Sequence, residues 1–195
     1  MAERAHPEDP AFQDKLFGLK KNKYKDYLLR RYKFCRNYVS GKIVLDVPCG
    51  VGWGTSLLTT AQEVYGVDIA QDAIDYAIRH FQKKNYHYQT GDMSRLDFSD
   101  KFFDAVVCLE GYEHVSLEIG LKFLDQVNRV LKKDGLFIMT TPVLTDGKHS
   151  GNPYHLNEPA LEDIKKTLHK HFEGVSFDEM PGPENNIIRF VGKNR

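Results

Sequence analysis

Apolar positions along this chain follow a helical spacing in some segments and form short unbroken runs in others. From Asn22 to Tyr38 the apolar and aromatic residues recur every three or four positions, which predicts an amphipathic helix that ends at Gly41. The next segment, residues 42–47 (KIVLDV), is a short apolar run bounded by Gly41 and Pro48. Such a run is typical of a strand that is buried on both faces.

The remainder of the chain alternates between the same two patterns. Helical spacing predicts helices over residues 55–61, 70–84, 116–132 and 161–172. Apolar runs predict strands over residues 64–67, 86–89, 103–109, 136–141, 175–180 and 187–191. This alternation favours a doubly wound α/β fold, with a mostly parallel seven-stranded sheet and helices on both faces. Because no helix separates the last two strands, the last strand is expected to be antiparallel.

Length and composition limit the organisation further. The 195 residues suit one domain over residues 41–195, preceded by an N-terminal tail and a lid helix within residues 1–40. The formal net charge of zero argues against nucleic acid as a partner, because phosphate binding needs an excess of Lys and Arg. No apolar run reaches the roughly 20 residues of a membrane span, and the start of the chain lacks the apolar segment of a signal peptide.

The three cysteines indicate the redox state of the compartment and whether a cysteine-bound metal is expected. They cannot all pair with one another, and none of them forms a zinc-type CxxC motif. We therefore predict a reducing, cytoplasmic location and no metal site.

Glycines and carboxylates follow the predicted strands, where open sheets of this kind bind ligands. The first strand continues into DVPCGVGWGT, in which Gly50 and Gly52 let the backbone approach a ligand closely. Asp68 ends the second strand, and GDM follows the third. A carboxylate at the end of the second strand can accept hydrogen bonds from both hydroxyl groups of a ribose. Dinucleotide sites use a related glycine pattern, but Thr55 occupies the third glycine position of that pattern.

Together with LEGYEHV after the fourth strand and RVLKKDGLFIMTTP further on, these motifs resemble the class I S-adenosylmethionine-dependent methyltransferases. The resemblance covers about residues 27–180, and it implies a Rossmann-like fold, methyl transfer and S-adenosylmethionine as the cofactor. VLDVPCGVGWGTSLL, LEGYEHV and NPYHLNEP are most similar to bacterial members linked to methylation of glycans or small molecules. Pro48 replaces a glycine that the family usually has at this position.

The resemblance implies a set of cofactor-binding residues. Asp46 and the glycine backbone would surround the methionine part, Asp68 would bind the ribose, and the adenine would lie between Ile69 and Met93. The full predicted set is Tyr32, Asp46, Pro48, Cys49, Gly50, Gly52, Asp68, Ile69, Asp92, Met93, Leu109 and Glu110. Structural roles stay open for three of them: Asp46 as a buried hydrogen-bonding group, Asp68 as a helix cap, and Asp92 as a turn residue.

Candidates for proton removal follow the fourth strand and lie in the long polar connection at residues 142–159. His114 and His155 are the predicted catalytic residues, because an imidazole can accept a proton near neutral pH. A purely structural hydrogen bond is the alternative for each of them. Glu113 and Glu158 are expected to be structural or capping residues.

The basic N-terminal helix suggests an acceptor. Between Lys20 and Arg36 there are eight Lys and Arg residues and a single acid, Asp26. Tyr24, Tyr27 and Tyr32 could cover the cofactor while Arg30 or Arg31 binds an anionic acceptor, such as a sugar or glycan precursor. A solvated basic face is the simpler interpretation. Two other functions stay open, a nicotinamide-dependent oxidoreductase and a cofactor-binding interaction module without catalysis.

Overall fold

The computed structural model describes residues 21–181 and 186–195, and side chains from Leu29 onward except at residues 180 and 181. The predicted N-terminal tail and the side chains of Tyr24 and Tyr27 lie outside the described residues. The helices are α1 (Lys21–Val39), α2 (Gln71–Phe81), α3 (Leu117–Val130) and α4 (Leu161–His171). The strands are β1 (Ile43–Asp46), β2 (Glu63–Asp68), β3 (Tyr86–Thr90), β4 (Phe103–Leu109), β5 (Leu131–Pro142), β6 (Phe172–Pro181) and β7 (Asn186–Asn194).

The sheet confirms the predicted fold class. Its seven strands are ordered β3-β2-β1-β4-β5-β7-β6. The first five run parallel, and β7 is antiparallel to both of its neighbours, β5 and β6. The chain therefore reverses the direction of strand order after β3, and β4 returns to lie beside β1. This arrangement brings the carboxyl ends of β1, β2 and β4 to one edge of the sheet.

Apolar side chains cover both faces of the sheet. One cluster includes Phe103, Phe123 and Phe137, where β4 and β5 pack against α3. The cluster on the other face includes Cys35 and Val39 of α1 together with residues from β1, β2 and α2. None of the helices in the described part of the chain is long and apolar enough to cross a membrane.

Helix α3 illustrates how local sequence sets an element. Ser116 is its N-cap, and the Ser116 side chain accepts a hydrogen bond from the Ile119 backbone N–H. This bond satisfies one of the free N–H groups of the first turn. The apolar stripe then buries Phe123, Leu124 and Val127 against the sheet. The predicted helix over residues 116–132 is confirmed, but β5 begins at Leu131 directly after it.

The helix predicted over residues 55–61 is wrong in extent. Only a single 3₁₀ turn forms, at Thr55–Leu57. The Thr60 carbonyl accepts a hydrogen bond from the Gly41 N–H at 2.9 Å, so the backbone is already turning back toward the sheet. Residues 91–102, between β3 and β4, also contain no helix. Two of the connections between parallel strands therefore lack an α-helix.

Candidate active site

Three carboxylates meet at the edge of the sheet where β1, β2 and β4 end. Asp46 is the last residue of β1, Asp68 is the last residue of β2, and Glu110 directly follows β4. Their strands are hydrogen-bonded neighbours. The predicted convergence of the residues after these strands is therefore present in the fold.

Asp46 is fully buried beneath the glycine-rich loop. Its Oδ2 atom accepts hydrogen bonds from Thr55 Oγ1 at 2.7 Å and Tyr32 Oη at 3.4 Å. Its Oδ1 atom is also buried and has no hydrogen-bond partner among the described residues. Burial raises the pKa of Asp46 to about 7, and the nearby Asp68 carboxylate adds to the effect. Asp46 Oδ1 is therefore a buried acceptor that lacks a hydrogen-bond donor among the described residues.

We expect Asp46→Asn to stabilise the protein above pH 7. Because the folded-state pKa is raised, the folded state keeps a proton between about pH 4 and 7 that the unfolded chain has lost, so stability falls as pH rises through that range. Asparagine retains an oxygen acceptor for Thr55 and Tyr32 but does not ionise. The expected gain at pH 8 is on the order of 2 kcal/mol, measured by urea unfolding at pH 5 and pH 8.

The matched control is Asp134→Asn, at an exposed acid whose φ of 60° asparagine tolerates. Its stability should follow that of the wild type at both pH values. Equal losses of stability in Asp46→Asn at pH 5 and pH 8 would contradict a buried, destabilising charge.

The glycine-rich loop is joined to Asp68. The Gly50 N–H donates to Asp68 Oδ2 at 2.8 Å, and the Ala70 N–H donates to Asp68 Oδ1 at 3.0 Å. Gly50 has φ +53°, and a Cβ placed on it would point into open space. A side chain there would be strained but not blocked, so this stretch of backbone has free space beside it. The capping alternative for Asp68 is wrong, because the N-cap of α2 is Ala70 and no side chain caps this helix.

Helix α1 covers the same loop from above. A Cβ on Gly54 would lie 2.1 Å from the Tyr32 ring, so only glycine allows the helix to approach this closely. Tyr32 is buried, and its hydroxyl group reaches Asp46. The two loop glycines thus have different roles. Gly50 leaves free space beside the backbone, whereas Gly54 allows the Tyr32 ring to pack directly on the loop.

The other predicted cofactor residues differ in how accessible they are. The side chain of Ile69 is 71% exposed beside Asp68, whereas Met93 is buried within the apolar core. Asp92 Oδ1 accepts a hydrogen bond from the Ser94 N–H at 2.7 Å, as a turn residue does. An exposed isoleucine next to a carboxylate offers an apolar surface for a ring, and the adenine contacts of Asp92 and Met93 stay predictions.

Pro48 and Cys49 follow the end of β1, and Leu109 is the last residue of β4. Pro48 packs against the residue that follows Glu110, since a Cβ on Gly111 would lie 2.2 Å from Pro48 Cδ. Cys49 and Leu109 are buried. Burial raises the pKa of the Cys49 thiol well above its usual value, which keeps it protonated and unreactive. The contacts of these three residues with the cofactor stay predictions.

An ion pair that the sequence reasoning missed connects α1 to the site. Arg31 Nη2 lies 3.1 Å from Glu110 Oε2, and the Arg31 side chain is only 5% exposed. Glu110 has φ +53°, and its N–H donates to the Thr140 carbonyl at 3.0 Å. Arg31 occupies an apolar position of the helical pattern, which was the available signal that it faces inward. An arginine this buried, and already paired, is poorly placed to bind an acceptor from solvent.

Glu113, His114 and His155 come together beside these carboxylates. One potential ligand atom from each residue lies within 4.8 Å of the others. The two imidazole rings are 5.2 Å apart in an edge-on arrangement. The Glu113 carboxylate is buried and accepts a hydrogen bond from Thr141 Oγ1 at 3.2 Å. The two predicted catalytic histidines, 41 positions apart in the sequence, are therefore neighbours.

The connection after β5 is anchored by Glu158, as its predicted structural role requires. The Ser150 N–H donates to Glu158 Oε2 at 2.7 Å, and His155 Nδ1 lies 2.5 Å from Glu158 Oε1. The Glu113 carbonyl accepts from the Leu156 N–H at 2.7 Å, which ties the connection to the segment after β4. His155 is thereby held at a fixed position facing His114.

Comparisons with known proteins agree with this geometry. Residues 45–139 match the family model described as a methyltransferase domain. A fatty-acid O-methyltransferase of Mycolicibacterium smegmatis is 38% identical over 105 residues, which are 52% of this chain and 38% of that protein. A ubiquinone biosynthesis O-methyltransferase of Rickettsia bellii is 31% identical over 119 residues, 60% of this chain and 48% of that protein. The chain therefore spans less than half the length of these two relatives.

A solved structure extends the match to nearly the whole chain. The N-methyltransferase NodS from Bradyrhizobium japonicum, in complex with S-adenosyl-l-homocysteine, has a TM-score of 0.71 and 15% identity. The alignment covers 97% of this chain and 93% of NodS. Residues 45–139 thus match a methyltransferase domain, and the chain has the fold of class I S-adenosylmethionine-dependent methyltransferases, as the motifs predicted. The cofactor of this class is S-adenosylmethionine.

Proposed function

We propose that this chain transfers a methyl group from S-adenosylmethionine to an oxygen or nitrogen atom of a small molecule. The observation that carries the proposal is the junction of the glycine-rich loop with Asp68 above the buried Asp46 carboxylate. This junction places two acceptor groups and an open stretch of backbone at the switch point of the sheet, where such folds bind nucleotides. The matched family model covers the same residues.

The residues present fit the cofactor. The unpartnered Oδ1 atom of Asp46 is an acceptor for the ammonium group of the methionine part, and Asp68 is an acceptor for ribose hydroxyls. Ile69 offers an exposed apolar face for the adenine. The bound cofactor supplies an activated methyl group on a good leaving group. The remaining task of the protein is to hold the acceptor in line and to exclude water, which contributes roughly 7–11 kcal/mol in favourable cases.

His114 and His155 are proposed to act on the proton of the acceptor. The His114 Nδ1–H donates to the Tyr154 carbonyl at 3.1 Å, which leaves the lone pair on Nε2. Both nitrogens of His155 have neighbours, Glu158 Oε1 and Asn152 Nδ2. The lone pair of His114 is therefore the more accessible of the two.

Two acceptor classes have support. Tyr154 and Leu156, which flank His155, are 47% and 67% exposed, so an acceptor with an apolar body would find contacts there. An anionic sugar or glycan precursor is the second class. Because Arg31 is paired with Glu110, the exposed Arg30 is the remaining predicted partner for its charge.

The test combines binding with turnover. A thermal-shift comparison of S-adenosylmethionine, S-adenosylhomocysteine and nicotinamide dinucleotides is expected to give stabilisation by the first two compounds alone. Cofactor labelled in the methyl group is then incubated with hydroxyl- and amine-bearing acceptors, both apolar and anionic, and labelled product is measured. Stabilisation by a nicotinamide cofactor only would favour the oxidoreductase. Binding without transfer to any acceptor would favour the interaction module.

A further inference from the structure

The cluster of Glu113, His114 and His155 combines three groups that bind metals. One carboxylate oxygen and two imidazole nitrogens come from separate elements, the 3₁₀ turn at Tyr112–His114 and the connection after β5. Their potential ligand atoms all lie within 4.8 Å of one another. A set of two histidines and one carboxylate is the donor combination of many catalytic sites for first-row transition metals.

The orientation of His114 is already fixed as in a metal ligand. Its Nδ1 is 3.1 Å from the Tyr154 carbonyl oxygen, which can only accept a hydrogen bond. Nδ1 must therefore carry the proton, and Nε2 is left with a lone pair. Metal-binding histidines nearly always donate their other N–H to a carbonyl or carboxylate, which sets both the tautomer and the direction of the ring.

His155 has the corresponding support from a carboxylate. Its Nδ1 is 2.5 Å from Glu158 Oε1, and the Glu158 side chain is fully buried and held by the Ser150 N–H. The Asn152 amide donates to His155 Nε2 at 3.1 Å, so this nitrogen is unprotonated and faces a positive partner. A cation would take the place of that amide donor.

Glu113 supplies the negative charge of the cluster. Its carboxylate is 1% exposed and accepts a hydrogen bond from Thr141 Oγ1 at 3.2 Å. A positive ion at this position would balance its buried charge. We propose that Glu113, His114 and His155 bind one divalent first-row transition-metal ion, with zinc as the best-matched probe.

The use of this ion depends on the proposed function. Zinc with three protein ligands keeps a fourth position open, and an oxygen atom bound there loses its proton more easily. A hydroxyl acceptor bound through that position would be activated beside the methyl donor, and its proton would pass to water. The two histidines would then act on the acceptor proton through the ion that they hold, in place of the direct contact proposed for them without the ion.

The experiment measures metal binding by the full chain without cofactor or acceptor. After chelation and dialysis, zinc is titrated by calorimetry, and cobalt(II) is titrated while the visible spectrum is recorded. We expect one ion per chain, and cobalt bands without sulfur charge transfer because the three cysteines are buried away from solvent. His114→Gln and Glu113→Gln are expected to weaken binding at least about 100-fold.

The matched control is His80→Gln, which removes an exposed histidine from the last turn of α2 that is not part of the cluster. Its zinc affinity should equal that of the wild type, and circular dichroism checks that each variant is folded. Absence of zinc binding by the folded wild type, or equal affinities of His114→Gln and wild type, would overturn the proposal. The zinc titration does not measure methyl transfer, so a failure to bind zinc would not contradict the proposed methyltransferase function. Conversely, a failure to transfer methyl groups would not contradict the proposed metal site.

Discussion

Arg31→Met is expected to lower the free energy of unfolding by about 3–5 kcal/mol. The substitution keeps a long apolar side chain on the buried face of α1 but leaves the Glu110 carboxylate without its partner at 3.1 Å. One oxygen of that carboxylate, Oε1, is already buried without a hydrogen bond among the described residues. Removal of one member of a buried ion pair leaves an uncompensated charge, which is costlier than removal of both. Urea unfolding followed by circular dichroism measures the effect.

A double-mutant cycle can separate the contribution of the Arg31–Glu110 ion pair to stability from the contribution of Arg31 to helix packing. Arg30→Met changes the adjacent, exposed position of the same helix and should alter stability by no more than about 0.5 kcal/mol. Arg31→Met combined with Glu110→Gln should recover a large part of the loss, because no unpaired charge remains. Losses that simply add in the double variant would show that Arg31 acts through packing alone.

Asp68→Ala is expected to weaken binding of S-adenosylhomocysteine by about 100- to 1,000-fold. The carboxylate accepts from the Gly50 and Ala70 N–H groups, so its removal disorders the loop and also deletes the proposed ribose acceptor. Hydrogen bonds to charged groups contribute about 1.5–3 kcal/mol each, and two of them account for a change of this size. Isothermal titration calorimetry on the folded variant measures the affinity.

Asp97→Ala is the control, since it removes an exposed acid from the connection between β3 and β4. Its affinity for S-adenosylhomocysteine should match that of the wild type. Wild-type affinity in Asp68→Ala would refute the ribose assignment, and it would leave Asp68 only its hydrogen bonds with the Gly50 and Ala70 N–H groups.

The fold was predictable because its signals are local. Short runs rich in apolar and β-branched residues, such as residues 103–109, are typical of buried strands, and the structure has β4 at the same bounds. The segment at residues 55–61 misled the prediction, because the geometry there is set by Asp46 and Gly41 and not by its own apolar spacing. Thr55 bonds to Asp46 Oδ2, and Thr60 bonds to the Gly41 N–H.

The site was predictable only as far as the order of strands determines it. Asp46, Asp68 and Glu110 could be placed together because each ends or directly follows a parallel strand. The pairing of Arg31 with Glu110 could not, because it depends on how α1 lies across the sheet. The contact between His114 and His155 likewise depends on the path of a long connection, which no periodic pattern encodes.

Because Tyr32 of α1 packs on Gly54, the protein cannot be truncated before the first strand without loss of contacts. A fragment that starts at residue 41, the predicted domain boundary, would keep every strand but would uncover Val44 and Leu58, which share an apolar cluster with Cys35 and Val39. It would also strip Asp46 and Glu110 of the groups that α1 brings to them. The smallest unit able to bind a nucleoside therefore includes α1, and expression trials should keep that helix.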